Sequence, residues 1–189
     1  FNDTTNEVVD TKNVNVSVID FGGIDAINKL VRLPGGFHII DLYGEYIREL
    51  INQRGYIVKH NLFGAPYDWR LGAAQRDSHY DKMKNLIEHA YNTNDGEKVA
   101  IVAHSQGTIV LTSFLERMTP EWRQKYVKRV ALLAPCFAGY GMAQLYVWLA
   151  GVPDMPWFKS KVLGDFIRSA PGFSTLFPNQ AIYGNTTIF

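Results

Sequence analysis

Residues 98–118 constrain the fold of this 189-residue chain more than any other segment. An apolar run at 99–103 has the length and composition of a strand buried on both faces of a sheet. Ser105 stands in the turn that follows it. Beyond that turn, apolar residues recur at helical spacing, namely Ile109, Val110, Leu111, Phe114 and Leu115. The segment therefore predicts a strand, a sharp turn at Ser105 and a helix.

A serine on such a strand-to-helix turn is typical of the nucleophile elbow of α/β-hydrolases. The local motif is A-H-S-Q-G, with Ala103 in place of the more common glycine and Gly107 at the rear position. We expect Ser105 to adopt a strained backbone conformation and to act as the catalytic nucleophile. The backbone N–H of Gln106 is the expected oxyanion donor, aided by the helix dipole. The alternative is a serine that merely caps a helix.

A second motif lies upstream of this turn. Gly64 begins the sequence G-A-P-Y-D-W-R, which ends at Arg70. In a structural interpretation Pro66 fixes a turn, Trp69 packs, and Asp68 pairs with Arg70. These residues would then shape the site without taking part in the chemistry.

The two motifs at this separation resemble the lecithin:cholesterol acyltransferase family, which includes lysosomal phospholipase A2 and phospholipid:diacylglycerol acyltransferase. The segments R-L-P-G-G-F at 32–37 and A-L-L-A-P at 131–135 extend the resemblance. It implies a partial α/β-hydrolase fold, with a mostly parallel sheet, covering helices and the start of a lid. It also implies acyl transfer from a glycerophospholipid through Ser105 to a lipid alcohol or water, without metal or organic cofactor. A related lipase or thioesterase, or a non-catalytic lipid-binding protein, are the alternatives.

Composition limits the remaining classes of function. Nineteen basic and 18 acidic residues nearly balance, and no basic stripe is visible, so nucleic-acid binding has little support. The single cysteine, Cys136, allows no internal disulfide and is expected to be a buried apolar residue. No apolar run approaches the roughly 18 residues of a membrane span, so contact with a lipid surface would be peripheral. Sequons at Asn2, Asn15 and Asn185 favour a secretory compartment.

Alternating strand and helix patterns predict a parallel sheet with helices on its faces. Before residue 63, the pattern predicts an irregular arm at 1–16 with an edge strand around Val16, a loop at 21–33, a helix at 38–54 stopped by Gly55, and a strand at 56–62. A second helix is expected to be capped by Asp77 or Ser78, and its inward residues are Met83, Leu86, Ile87 and Ala90. After the segment at 98–118, a break at 119–122 leads to a strand at 127–133.

The pattern changes after Ala134-Pro135. An aromatic helix is expected at 140–149, followed by a polar, mobile segment at 159–167 and strands at 181–183 and 186–189. We interpret 1–135 as part of the hydrolase core, 136–180 as the cap or lid, and 181–189 as the start of a further core segment.

The five histidines all precede Ser105, whereas in this fold the order along the chain is serine, acid, histidine. His104 adjoins the serine, but neighbouring residues of a strand point to opposite faces, so we expect it to pack beside the turn rather than act as the base. The sequence therefore predicts an internal piece of a longer enzyme, with the acid and base supplied downstream. The histidines are His38, His60, His79, His89 and His104.

Overall fold

The computed structural model describes residues 10, 13, 16–29, 41–140 and 160–185, with the side chains of 160–163 and 166 left out. Most of the predicted arm, the 32–37 segment, nearly all of the aromatic helix and the strand at 186–189 lie outside these residues. The described elements are α1 (Asp25–Asn28), α2 (Gly44–Arg54), α3 (Asp77–Thr93), β1 (Val99–His104), α4 (Gly107–Arg117), α5 (Pro120–Tyr126), β2 (Val127–Leu133), α6 (Ser160–Ser169), α7 (Pro171–Ser174) and α8 (Gln180–Tyr183).

Strands β1 and β2 form a two-stranded parallel sheet, so the described part of the protein is mixed α/β. The register pairs Val99 with Val127, shifts after that pair, and then runs to His104 opposite Leu133. Parallel neighbours need a crossover connection, which α4 and α5 provide. The prediction of both strands and of the connecting helix is confirmed.

The core lies between the helices α3 and α4 and one face of β1. Its buried side chains come from these two helices and are Tyr80, Met83, Ile87, Val110, Leu111 and Phe114. On β1, Val99, Ile101 and Ala103 face this cluster and are half-buried, whereas the alternate residues are exposed. The prediction of burial on both faces is therefore wrong for the described residues, because the helices α3 and α4 pack on one side of the strand.

The predicted strand at 56–62 is a turn instead. Gly55 ends α2 in the left-handed conformation, as predicted, with φ of +72°. The backbone N–H groups of His60, Asn61 and Leu62 then all donate to the Ile57 carbonyl. The side-chain oxygen of Asn61 accepts from the Ile57 N–H at 2.6 Å. This local side-chain bond offers the backbone an alternative to a sheet ladder, and one isolated bridge between Val58 and Leu62 is formed.

Two short helices were not predicted. The break at 119–122 is confirmed, since α4 ends at Arg117, but these residues also start α5, because the Thr119 hydroxyl accepts from Trp122 N and proline suits the first helical position. The predicted strand at 181–183 lies in α8, where the Asn179 side chain accepts from Ala181 N at 2.8 Å. Helix α6 covers most of the predicted mobile segment at 159–167.

The predicted bounds of the other elements shift by a few residues. Helix α2 begins at Gly44, and the expected start at 38 lies outside the described residues. Helix α3 has Arg76 at its N-cap without a side-chain hydrogen bond, so neither Asp77 nor Ser78 caps it. Of its predicted inward residues, Leu86 is only half-buried. The predicted loop at 21–33 contains the short α1, and 16–19 form no strand.

Candidate active site

Ser105 occupies the turn between β1 and α4, hereafter the elbow (residues 104–107). Its φ is +52°, in the left-handed region that non-glycine residues seldom adopt. The Ser105 N–H donates to the Leu133 carbonyl at 3.0 Å, and its own carbonyl accepts from Thr108 N at 3.0 Å. The surrounding strands and helix therefore hold the backbone in a conformation that costs of order 1–3 kcal/mol. The strained turn expected from the motif is present.

The rear position of the motif, Gly107, has room for a Cβ atom. A Cβ added to Gly107 would lie 3.5 Å from Tyr67 Cε1, which is an ordinary van der Waals contact. The ring of Tyr67, in the second motif, therefore packs beside the start of α4. Burial, with smaller contributions from Tyr43 and Cys136, raises the pKa of Tyr67 to about 12. The phenol consequently stays neutral across the physiological pH range.

The Ser105 side chain contacts Cys136, which sequence reasoning placed in the core but not at the site. The Cys136 Sγ lies 3.6 Å from Ser105 Oγ, and the cysteine is 6% exposed. The expectation of a buried cysteine is confirmed. Its location follows from the parallel pairing of β1 and β2, since the carboxyl ends of both strands meet at the same edge of the sheet.

Thr108 joins the elbow to the loop after β2 and was also missed. Its side chain is completely buried. The Thr108 hydroxyl donates to the Ser105 carbonyl at 2.7 Å and accepts from Cys136 N at 3.4 Å. A buried hydroxyl requires such partners, and these two bonds fix the loop relative to the serine.

Gln106 is the N-cap residue of α4 and is 8% exposed. Its backbone N–H belongs to the first turn, where amides have no intrahelical acceptor, and it lies at the positive end of the dipole of the 11-residue α4. Its side-chain Nε2 donates to the Gly172 carbonyl at 2.6 Å. The backbone amide of Gln106 thus lies next to Ser105, and its side chain contacts α7.

His104 is the first residue of the elbow, but its side chain hydrogen-bonds away from Ser105. Its Nδ1 is 2.7 Å from Tyr43 Oη, and the two rings meet edge to face at 5.7 Å. Burial raises the pKa of Tyr43. Among the residues that the structure describes, no histidine side chain hydrogen-bonds to Ser105, and His104 is exposed rather than packed inside.

The second motif forms a rigid loop next to the elbow. Arg70 Nη2 lies 2.6 Å from Asp68 Oδ2 and 3.1 Å from Asp10 Oδ1. The predicted Asp68–Arg70 pair is confirmed, and the hydrogen bond to Asp68 raises the pKa of Arg70 further. Trp69, which was expected to pack, is 42% exposed.

A cavity of about 140 Å³ lies between α3 and β1 but is not part of this site. Apolar side chains line it throughout, and none belongs to the elbow; they are Phe63, Ala65, Met83, Leu86, Ile87, Ala90, Val99, Ala100, Ile101, Val102 and Leu111. It offers no group for chemistry. Over the described ranges there is no cluster of side chains that could hold a metal ion, and no helix long and apolar enough to cross a membrane.

Comparison of the sequence with known proteins identifies the family of the chain. The family model for lecithin:cholesterol acyltransferase matches residues 1–188. The chain belongs to the lecithin:cholesterol acyltransferase family.

Three relatives illustrate the range of this family. Lecithin-cholesterol acyltransferase-like 1 of Arabidopsis thaliana is 35% identical over 155 residues, which is 77% of this chain and 35% of the relative. Phosphatidylcholine-sterol acyltransferase of Oryctolagus cuniculus is 25% identical over 100% of this chain and 42% of the relative. Lysosomal phospholipase A and acyltransferase of Canis lupus familiaris is 26% identical over 77% of this chain and 36% of the relative. The chain thus spans less than half the length of the curated relatives it matches.

Proposed function

We propose that the protein is a serine-dependent lipid O-acyltransferase or phospholipase A. An acyl chain would pass from a glycerophospholipid to Ser105 and then to a lipid alcohol or to water. The observation that carries this proposal is the left-handed backbone of Ser105 between a strand and a helix, in a chain of this family. Relatives named phosphatidylcholine-sterol acyltransferase and lysosomal phospholipase A and acyltransferase support the lipid class of substrate.

In the proposed mechanism Ser105 Oγ attacks the ester carbonyl carbon, and its proton passes to a base. The carbonyl oxygen becomes an oxyanion that accepts a hydrogen bond from the Gln106 N–H at the start of α4. Removing one such donor costs about 10²–10³ in kcat in a serine protease. The tetrahedral intermediate then expels the lysophospholipid alcohol, which regains a proton, and leaves the acyl chain on Ser105. A lipid alcohol or water attacks this ester and frees the serine.

The base is not assigned within the described residues. The proposal requires an acidic residue followed by a histidine after residue 189, in the order that α/β-hydrolases use. Reading the complete open reading frame checks this requirement. A reading frame with no histidine after residue 189 would count against the enzyme and in favour of a non-catalytic lipid-binding member.

The proposal extends to architecture. The parallel pair β1–β2, its helical crossover and the elbow support an α/β-hydrolase core over 1–135. Residues 136–180 would form a cap or lid, and 181–189 would begin a further core segment. Contact with a membrane or lipid surface would be peripheral. A secretory location, whether secreted, lysosomal or vacuolar, or in the endoplasmic reticulum lumen, agrees with the lysosomal name of one relative.

The nucleophile is tested with a fluorophosphonate probe on the complete protein encoded by the gene. We expect the probe to label Ser105 and the Ser105→Ala variant to lose labelling and activity on phospholipid vesicles. Ser78→Ala is the matched control, because Ser78 is an exposed serine in α3. Undiminished labelling of Ser105→Ala would contradict the assignment.

A further inference from the structure

Three segments meet at Gly172, in α7. The loop after the second motif approaches from one side, and the Gly172 N–H donates to the Arg70 carbonyl. Gln106 approaches from the elbow, with its Nε2 at 2.6 Å from the Gly172 carbonyl oxygen. Gly172 therefore links the site to a segment that lies 66 residues downstream of Gln106 in the sequence.

This contact is closely fitted. A Cβ on Gly172 would lie 2.0 Å from the Trp69 carbonyl oxygen and 2.5 Å from Gly72 N. On the opposite side, Gly72 has φ of +54°, and a Cβ there would lie 2.8 Å from Gly172 Cα. Two glycine backbones therefore touch where no side chain fits, which fixes the position of α7 against the loop.

The loop that receives α7 is itself held in place. Arg70 pairs with Asp68 and Asp10, as described above. The buried Gln75 side chain donates to the carbonyls of Asp68 and Gly72 at 2.6 and 3.0 Å. Because Gly172 is bonded to this loop, the position of its carbonyl oxygen relative to Gln106 is fixed.

The Gly172 carbonyl accepts from two donors, Gln106 Nε2 and the Thr175 hydroxyl, the latter at 2.7 Å. Thr175 belongs to the same segment as Gly172, and its hydrogen bonds to the Gly172 and Pro171 carbonyls are local. Gln106 reaches it from the elbow, and its side chain is buried in doing so. A buried amide that lost this acceptor would carry the full desolvation penalty of an unsatisfied donor.

We propose that the Gln106 side chain is a positioning group, which anchors the first turn of α4 to Gly172 and so sets the direction of the Gln106 backbone N–H. This inference rests on the proposed function, since it assigns that N–H to the oxyanion. The side chain and the N–H belong to one residue, so a side chain held at its far end limits rotation of its peptide plane. Preorganised donors stabilise a transition state because they need not reorient during the reaction. The contact of α7 with Gln106 and the catalytic activity of the elbow are thereby coupled.

The test compares two variants that each remove one donor to the same carbonyl. Gln106→Met keeps the length and burial of the side chain but removes the amide, whereas Thr175→Val removes the local donor and leaves the elbow untouched. Both are assayed in the complete protein on phosphatidylcholine vesicles, with rates divided by the concentration of serine that a fluorophosphonate titrates. This division removes the effect of any misfolded fraction.

We expect Gln106→Met to lower kcat about tenfold or more with KM changed less than about twofold, the split of a group that acts in the transition state. Thr175→Val is expected to retain kcat within about twofold. A Gln106→Met enzyme with wild-type kcat, or equal losses in the two variants, would overturn the positioning role while leaving Ser105 as nucleophile. A wild-type protein in which the probe does not label Ser105 would overturn the proposed function itself.

Discussion

The elbow unit (β1, the elbow and α4, residues 99–117) and the glycine contact (residues 69–72 with 170–175) are stabilised by different forces. The elbow unit rests on the sheet ladder and on an apolar cluster that includes the fully buried Phe114. The glycine contact has two touching backbones, with Arg70 and Gln75 providing polar bonds. Burial of apolar area is non-directional and tolerates small shifts, whereas hydrogen bonds and backbone contacts depend on exact positions.

This difference matters for the site, because Ser105 and Gln106 belong to the first region while the Gln106 side chain reaches the second. The elbow unit supplies the strained serine and the amide at the helix start. The glycine contact supplies the partner that orients the amide. Substitutions that disrupt one region at a time separate the two contributions, beginning with the largest expected loss.

Phe114→Ala should weaken the elbow unit most. The Phe114 ring is 0% exposed and packs against Tyr80 and Trp122. Removing a buried phenylalanine costs about 3–5 kcal/mol, partly because a cavity remains. Urea unfolding of the complete protein measures this loss. Phe137→Ala is the matched control, since its ring is 43% exposed and a loss of about 0.5 kcal/mol or less is expected. Similar losses in the two variants would contradict the assignment of the core.

Gly172→Ala should disturb the glycine contact with a smaller loss of stability. The added Cβ would lie 2.0 Å from the Trp69 carbonyl oxygen, and backbone must shift to accept it. Overpacking of this kind costs about 1–3 kcal/mol.

The control for this change is Gly55→Ala, where φ is +72° but nothing lies within 4 Å. It isolates backbone strain, at about 1–2 kcal/mol. We expect Gly172→Ala to reduce activity per titrated serine and Gly55→Ala to leave it unchanged. Full activity of Gly172→Ala would show that the position of α7 does not affect the activity of the elbow.

The smallest effect concerns His79, which lies in α3 against Phe21. Its Nε2 is buried and has no hydrogen-bond partner among the residues that the structure describes. Burial lowers the pKa of His79; Lys82 lowers it further, and Asp68 opposes the change. The folded protein thus holds a neutral ring, while the unfolded chain takes up a proton near pH 6.5. Stability is fully present above about pH 6.5 and falls as the pH drops through that value toward the lowered pKa.

His79→Phe keeps an aromatic ring and removes this titration. The free energy of unfolding of the variant should therefore fall less than that of the wild type between about pH 7 and pH 5. Urea unfolding at both pH values gives the difference. An equal fall in both proteins would show that the pKa of His79 does not contribute to acid sensitivity.

Hydrophobic periodicity predicted the elements that bury an apolar face. The strand β1 and the helices α3 and α4 were found close to their expected bounds, because their side chains pack on a common core. Strand β2 was also found at its expected bounds, where it pairs with β1, although six of its seven residues are exposed. The motif predicted a strained backbone at Ser105, and the positive φ of this residue confirms it. The resemblance to the lecithin:cholesterol acyltransferase family, which was based on the two motifs, agrees with the family model that matches residues 1–188.

The failures share a physical cause. The turn at 56–62 depends on the Asn61 side chain, and α5 depends on Thr119 and Pro120 at its first turn. These local polar bonds outweigh a pattern of apolar residues. The contacts of Ser105 with Cys136, and of Gln106 with Gly172, join residues 31 and 66 positions apart. No local pattern specifies such distant pairs, so the sequence placed Ser105 correctly on its turn but did not reveal these neighbours.

The central claim is that Ser105 carries the acyl chain during turnover. The most direct measurement mixes the complete protein with a phosphatidylcholine of defined acyl composition, quenches it in acid within the first turnovers, and maps peptides by mass spectrometry. The account predicts the mass of one acyl chain on the peptide that contains Ser105, and none in Ser105→Ala. Turnover of phosphatidylcholine by the Ser105→Ala protein, or an acyl chain on another residue, would contradict it.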